Sequence, residues 1–512
     1  MDNQRYFSNA NLMIGLLALL NVFIHLYFSF NLEYHRDELL YFSLGMNPDL
    51  GYATVPPMIG WIAWLMQGIS GNSLFSVRIF PALMSAVFVV LVSETARELG
   101  GSSSARILAA VGSVVSIIGL RTFLMFQPVH IDLLMWTLVF YLVARYVNTR
   151  SDKFLILLGM SAGAAMLNKY LIGLLLFSLL LVIPFTRFKN IFGKKSFLFA
   201  LFGGLLVFSP NLIWQIANGL PVIDHFSELK RTQLVNVDRV AFLIEQLAMP
   251  GIASLLTVAG LVYMFSSPRM KDYRFMAFVA VLVILILMLL QGKSYYAQGI
   301  YPFLIAAGAV FWEKTLRKAW LKTAFILMMI VLTLPAVPIG IPIWKTEGLV
   351  TYFDMLKNRY GMDFICRFED NSIHSLPQDY ADMLGWEELT AITAEAWQTI
   401  PDKEAAFIYA ENYGQAGAIN VIGKRYGLPD PVCFSESFKY WFPREFNPDI
   451  RYVLYINSES PGEDVLRVFH SVVKVGSITN PDAREYGTGV YLLSDPVGSF
   501  NTFWRERTKQ LF

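Results

Sequence analysis

Cysteine is nearly absent: two in 512 residues, Cys366 and Cys433. That excludes a disulfide framework and leaves room for one bridge at most. Charge is scarce too, at 16% Asp, Glu, Lys and Arg, against about 25% in soluble domains. The chain has no low-complexity tract, no long linker and no internal repeat. Many secondary transporters are built from two related halves, so the missing repeat counts against that class. The N-terminus also lacks a small-residue cleavage pattern, and Asn11–Phe30 reads as a first membrane helix rather than a signal peptide. What is abundant is apolar: 55% hydrophobic residues and a mean hydropathy of +0.48. These residues gather into stretches long enough to cross a bilayer core of about 30 Å.

Net charge of +2 conceals two unlike parts. Up to Trp344 there are 25 Lys/Arg and 15 Asp/Glu; beyond it there are 16 and 24, giving +10 and −8. Such a shift marks a domain boundary. The acidic tail and the basic residues scattered in short loops give no support to a nucleic-acid partner, and none is expected. Apolar segments near 11–30, 79–96, 107–120, 132–148, 154–168, 171–186, 196–214, 242–266, 276–291, 299–313 and 323–343 predict about 11 spans. With the N-terminus inside, 17 Lys/Arg up to Trp344 fall on cytoplasmic loops and 8 on outer ones. The positive-inside rule therefore predicts a cytoplasmic N-terminus and an extracytoplasmic tail. Residues 1–344 are expected to form the membrane domain, with a first outer loop at about 31–76. Residues 345–512 are expected to form a soluble α/β domain. Short runs at Ala406–Ala410, Tyr452–Ile456 and Val490–Leu493 suggest its strands, and Tyr380–Trp397 a helix.

Chemistry concentrates in a few places. Tyr34-His35-Arg36-Asp37-Glu38-Leu39-Leu40-Tyr41 follows the first helix directly and leads to Gly51-Tyr52 and Pro56-Pro57. A bland reading makes these charges a solvated loop. Their aromatic company and the apolar helix after them, with Trp61 and Trp64, suggest instead a loop folded onto the membrane surface. A carboxylate held there can accept a proton from an attacking hydroxyl. A second stretch, Gln127-Pro128-Val129-His130-Ile131-Asp132, opens an apolar segment, where an Asp can equally serve as a simple helix cap. In a third, Gly292-Lys293-Ser294-Tyr295-Tyr296, Lys293 lies between two long apolar segments. An intramembrane cation usually has a function, unless it snorkels to water. Lys169, in Leu167-Asn168-Lys169-Tyr170, poses the same question. Cations and carboxylates together at a lipid surface suit a lipid-linked sugar phosphate, whose leaving group needs the former and whose acceptor needs the latter.

Arg36-Asp37-Glu38-x-x-Tyr41, Gly51-Tyr52, Pro56-Pro57 and Arg78-Ile79-Phe80-Pro81 resemble the first outer loop of the bacterial protein O-mannosyltransferase-like superfamily (glycosyltransferase family 39-like). These are multi-span glycosyltransferases of the C-type fold, among them the aminoarabinose and galacturonic acid transferases of lipid A. His130-x-Asp132, Leu167-Asn168-Lys169-Tyr170, Lys293-Ser294-Tyr295-Tyr296 and Tyr301-Pro302 extend the resemblance. So do Leu376 to Trp386 and Glu411 to Ala418 in the tail. It implies a polytopic α-helical bacterial inner-membrane protein with a C-terminal soluble α/β domain in the periplasm. Carried over by position, Asp37 matches the catalytic carboxylate and Glu38 its partner. Asp132, with His130, falls on the acceptor side. Arg36, Lys293 and Tyr295 become candidates for the donor phosphate, and Tyr41 and Tyr52 for lining the substrate. Some members hold a divalent metal through a Glu and a distant His. His225 lies in no matching pattern, so no metal ligand is assigned and the cofactor question is left at a divalent ion.

The expected partners are a polyprenyl-phosphate-linked sugar donor, a hydroxyl acceptor on a glycolipid, glycan or protein, and membrane lipids. The expected reaction is an inverting transfer on the outer face. Asp379, Asp382 and Glu411 of the tail are expected to be structural or to contact the acceptor. Two other classes share these raw materials. A flippase or transporter of lipid-linked sugars would carry more polar residues within its helices. A polymerase or ligase of surface glycans would carry a large outer loop between spans.

Overall fold

The structure, a computed structural model, describes residues 2–509. The chain forms two compact units. The first comprises Met1–Ser29, Val55–Met58 and Arg78–Ile343; the second comprises Phe30–Thr54, Ile59–Val77 and Trp344–Phe512. Most of the expected first outer loop, Phe30–Thr54 and Ile59–Val77, thus groups with the tail from Trp344.

The first unit is helical. Every apolar segment read from the sequence falls on a helix, though the helices differ in length. Five are long and apolar enough to cross a membrane alone: Asn9–Asn31, Leu74–Glu98, Pro128–Thr149, Lys195–Ala217 and Ala319–Gly340. The span expected at 242–266 is two helices, Arg239–Ala248 and Gly251–Ser266, bent by 90°. Pro250 and Gly251, the latter at φ +62°, break the hydrogen-bond ladder there. Counted as one span this pair makes six. Ser103–Val114, Ile172–Phe185 and Arg274–Leu289 are apolar but shorter than the roughly 20 residues a straight span needs. Helix length alone therefore accounts for five or six of the 11 expected spans.

Glycines set how these helices pack. A Cβ on Gly308 would lie 1.9 Å from the Leu256 carbonyl oxygen, and one on Gly260 2.1 Å from that of Leu304. Gly159 and Gly163 meet Ala200 and Gly204 in the same way, at 2.1 and 2.2 Å. Small residues let backbones touch where no hydrophobic force drives helices together. Outside these seams Leu198, Phe199, Phe202 and Leu206 are each more than 60% exposed, as lipid-facing residues are.

Several basic residues assigned to cytoplasmic loops are ion-paired. Arg145 reaches Glu98 at 2.8 Å, Arg187 reaches Asp272 at 2.6 Å, and Lys194 reaches Asp152 at 2.8 Å.

The second unit holds a four-stranded sheet of order β1-β2-β4-β3. Its strands are β1 (Ala406–Ala410), β2 (Tyr452–Asn457), β3 (Phe469–Ser477) and β4 (Gly489–Pro496). β1 and β2 are parallel, and the other pairings are antiparallel. No short apolar run of the sequence marks β3. It is an edge strand whose Val473 and Val475 are exposed, so its apolar pattern carries no buried stripe. One sheet face is covered by an aromatic cluster of Phe407, Phe469, Phe500 and Trp504. The helix expected at 380–397 is two pieces, Gln378–Ala381 and Trp386–Thr399. Between them Gly385 adopts φ +88°, a conformation suited to glycine. Cys366 and Cys433 are both free and buried.

Candidate active site

His35 begins the arrangement in the second unit. It N-caps helix Arg36–Met46: its side chain accepts from the Asp37 N–H, while its own N–H donates to the Glu38 carboxylate at 2.8 Å. This is a capping box, and it engages Glu38, which is fully buried. Asp37 stays partly exposed. Its Oδ1 accepts from the Tyr413 hydroxyl at 2.9 Å. The Arg36 guanidinium lies over the Tyr413 ring, 4.4 Å from its centroid.

Asp382 stands behind this row. Its carboxylate lies 3.1 Å from Arg484 and 3.9 Å from both Arg36 and His35. Its carbonyl oxygen accepts from the Arg36 N–H at 3.1 Å and from the Trp386 indole at 2.8 Å. Burial pushes the Asp382 carboxyl above the usual range, against the pull of His35, Arg484 and Arg36. Burial likewise raises Glu436, whose carboxylate accepts from the Thr54 hydroxyl and which Asp37 pushes further up. Burial opposes the Arg36 charge, but Tyr413, Asp382, Glu485 and Asp37 together raise its pKa. Burial, then Asp37 and Tyr413, raises Tyr41 well above its ordinary value.

The expected residues sort unevenly. Arg36, Asp37, Glu38 and Tyr41 belong to one cluster. Tyr52 is buried for packing: its ring meets Gly60, and its hydroxyl donates to the Leu44 carbonyl at 3.1 Å. Glu411 accepts from the Ser458 N–H and hydroxyl at 3.0 and 2.6 Å. Four participants were not read from the sequence: Tyr413, Glu436, Arg484 and Glu485. Tyr413 lies within the Glu411–Ala418 stretch that carries the resemblance, but nothing local marks its hydroxyl as the one that reaches Asp37.

The remaining candidates lie in the first unit. Asp132 is 3% exposed, and its Oδ1 accepts from the Trp136 indole at 3.1 Å. His130 is enclosed by Phe80, Phe123 and Phe126, and among the described residues neither ring nitrogen has a hydrogen-bond partner. Lys169 Nζ lies 5.4 and 5.3 Å from the ring centroids of Tyr295 and Tyr296, and Lys293 Nζ lies 6.0 Å from that of Tyr295. Two lysines thus share one tyrosine, and Asp132 attracts Lys169. Asn168, next to Lys169, is tied to the Pro128 carbonyl at 2.9 Å, which fixes this turn against the helix carrying Asp132. Among the described residues no group of three or more His, Cys, Asp or Glu is arranged to hold a metal.

Known proteins match this chain in sequence and in fold. Residues 54–214 match the family model of dolichyl-phosphate-mannose-protein mannosyltransferase. The lipid A galacturonosyltransferase RgtD of Rhizobium johnstonii is 25% identical over 211 residues, which are 38% of this chain and 41% of RgtD. The match therefore spans about two fifths of that relative. ArnT from Cupriavidus metallidurans bound to undecaprenyl phosphate superposes with a TM-score of 0.58 at 12% identity, over 94% of this chain and 97% of ArnT. The apo form of ArnT gives 0.56 at 11% identity, over 95% and 98%. Over nearly its whole length the chain therefore shares the fold of ArnT, and its residues 54–214 are similar to the dolichyl-phosphate-mannose-protein mannosyltransferase family.

Proposed function

We propose that this protein is an inverting glycosyltransferase that moves a sugar from a polyprenyl phosphate to a hydroxyl of a glycolipid, glycan or protein. Transfer takes place on the outer face of the inner membrane, with the N-terminus cytoplasmic and residues 345–512 extracytoplasmic. The acceptor hydroxyl attacks the anomeric carbon opposite the phosphate, Asp37 takes its proton, and the C–O bond to phosphate breaks. Cations stabilise the departing polyprenyl phosphate. Arg36 beside Asp37, and Lys293 with Lys169 in the first unit, supply positive charge for that purpose. Asp132 serves the acceptor side.

The observation that carries this reading is the unequal fate of the adjacent acids. Glu38 is buried and engaged in a helix cap, whereas Asp37 keeps partial exposure beside a cation. A general base must be reachable and oriented, and Asp37 has both properties. The names of the relatives, a galacturonosyltransferase of lipid A and a protein crystallised with undecaprenyl phosphate, support the donor and acceptor classes.

The test is transfer by Asp37→Asn in nanodiscs, using a polyprenyl-phosphate sugar donor. Turnover should fall about 10²–10⁴-fold, the usual worth of a general base. Turnover near wild type would remove Asp37 from the mechanism. Mass spectrometry of surface glycolipids and glycoproteins, with and without the gene in its host, would name sugar and acceptor.

A further inference from the structure

We infer that Tyr413 is a positioning residue for Asp37; this rests on the glycosyl-transfer reading above. Tyr413 is the first residue of helix Tyr413–Val421, whose N-cap Asn412 accepts from the N–H groups of Gly414 and Gln415 at 2.9 and 3.1 Å. That cap is itself anchored. Asn412 and Gln415 both donate to the buried Glu485, at 3.1 and 2.9 Å, and Thr488 donates to it at 3.0 Å. The helix then presses directly on the one that carries Asp37. A Cβ on Gly417 would lie 2.7 Å from that of Leu39, and one on Gly414 would lie 2.7 Å from the Trp386 ring and 3.3 Å from the Arg36 Cβ. The backbone of Tyr413 therefore has one place to be.

From that place a single side chain holds two neighbours in different ways. Its ring face carries the Arg36 guanidinium, and its hydroxyl donates to Asp37 Oδ1. Ring and hydroxyl together set how the cation and the carboxylate stand to each other. A general base is effective only when held within a few tenths of an ångström of its productive geometry. Packing and the cation–π contact need only a ring, which phenylalanine supplies equally. The hydroxyl is the part that acts on Asp37, so the contribution of Tyr413 to transfer resides there.

The test uses the full chain in nanodiscs, with the host's polyprenyl-phosphate sugar fraction as donor and its glycolipid extract as acceptor. Tyr413→Phe is expected to lower kcat about 10- to 100-fold, the worth of a hydrogen bond to a charged group. Donor KM should stay within about twofold and Tm should not move, because both read the ring and not the hydroxyl. Tyr413→Leu, which also releases Arg36, should lose as much kcat and raise donor KM in addition. Wild-type kcat in Tyr413→Phe overturns the inference, as does a raised donor KM at unchanged kcat or a loss of kcat matched by a loss of Tm. Asp37→Asn in the same assay separates the two levels: activity there overturns the underlying reading. An inactive Asp37→Asn beside a fully active Tyr413→Phe overturns the positioning role alone.

Discussion

Asp37 in the second unit and Asp132 in the first begin alike. Each sits in the first turns of a helix, and each accepts from an aromatic donor, at 2.9 Å from Tyr413 and 3.1 Å from Trp136. Their surroundings then diverge. Asp37 is partly exposed among Arg36, Tyr41 and further acids, in a unit with a sheet and an aromatic core. Asp132 is 3% exposed on a helix long and apolar enough to span a membrane. A carboxylate near a helix start thus meets water in one case and packed side chains in the other. Proton transfer to an arriving hydroxyl needs the first environment. Holding a charge partner such as Lys169 fits the second.

The comparison breaks first at catalysis. Asp37→Asn should remove about 10²–10⁴-fold of the turnover, while Glu38→Gln, which preserves the capping box, should keep most of it. If Asp132→Asn costs as much as Asp37→Asn in the same transfer assay, the division of roles between the two acids is lost. Next in size is Lys293→Ala. If Lys293 meets the donor phosphate as proposed, its removal should raise donor KM about 10- to 100-fold, and a donor titration that leaves KM unchanged would move the phosphate contact elsewhere.

A third test concerns packing. Gly308→Leu forces a side chain onto the Leu256 backbone, an overpacking that costs typically about 1–3 kcal/mol. Thermal unfolding in detergent should show the loss, and the same replacement at the exposed, uncrowded Gly193 should not.

The smallest effect is a pH trend in the second unit. Burial raises the folded pKa of Glu436 above its ordinary value of 4.5. The unfolded chain then ionises first, so wild type loses stability as pH rises from about 4.5 towards the raised folded value. Glu436→Gln removes that dependence. The Tm of the variant relative to wild type should therefore climb through this window, and a constant difference across it would contradict the raised value.

Much of the first unit was legible because lipid leaves a simple mark. A helix in hydrocarbon must be apolar along its length, so each apolar segment located a helix even where its length fell short of a span. Bends were less legible. Pro250-Gly251 is visible in the chain, yet only the folded path shows a 90° turn rather than a kink. In the second unit β1, β2 and β4 lie where short apolar runs predicted them. β3 escaped because an edge strand with exposed valines has no one-sided pattern.

Sequence by itself determined the membrane helices, the change of character near residue 344, and the acids and cations placed beside apolar segments. It did so because composition and periodicity are local properties of a chain in lipid or water. Tertiary structure alone decided that Glu38 is buried while Asp37 stays partly exposed, since burial depends on what packs behind the helix. It also decided that Tyr413, 376 residues further along, supplies the hydroxyl on Asp37. A hydrogen bond between such distant residues exists only after Gly414 and Gly417 bring two helices into contact, and no local pattern encodes that approach.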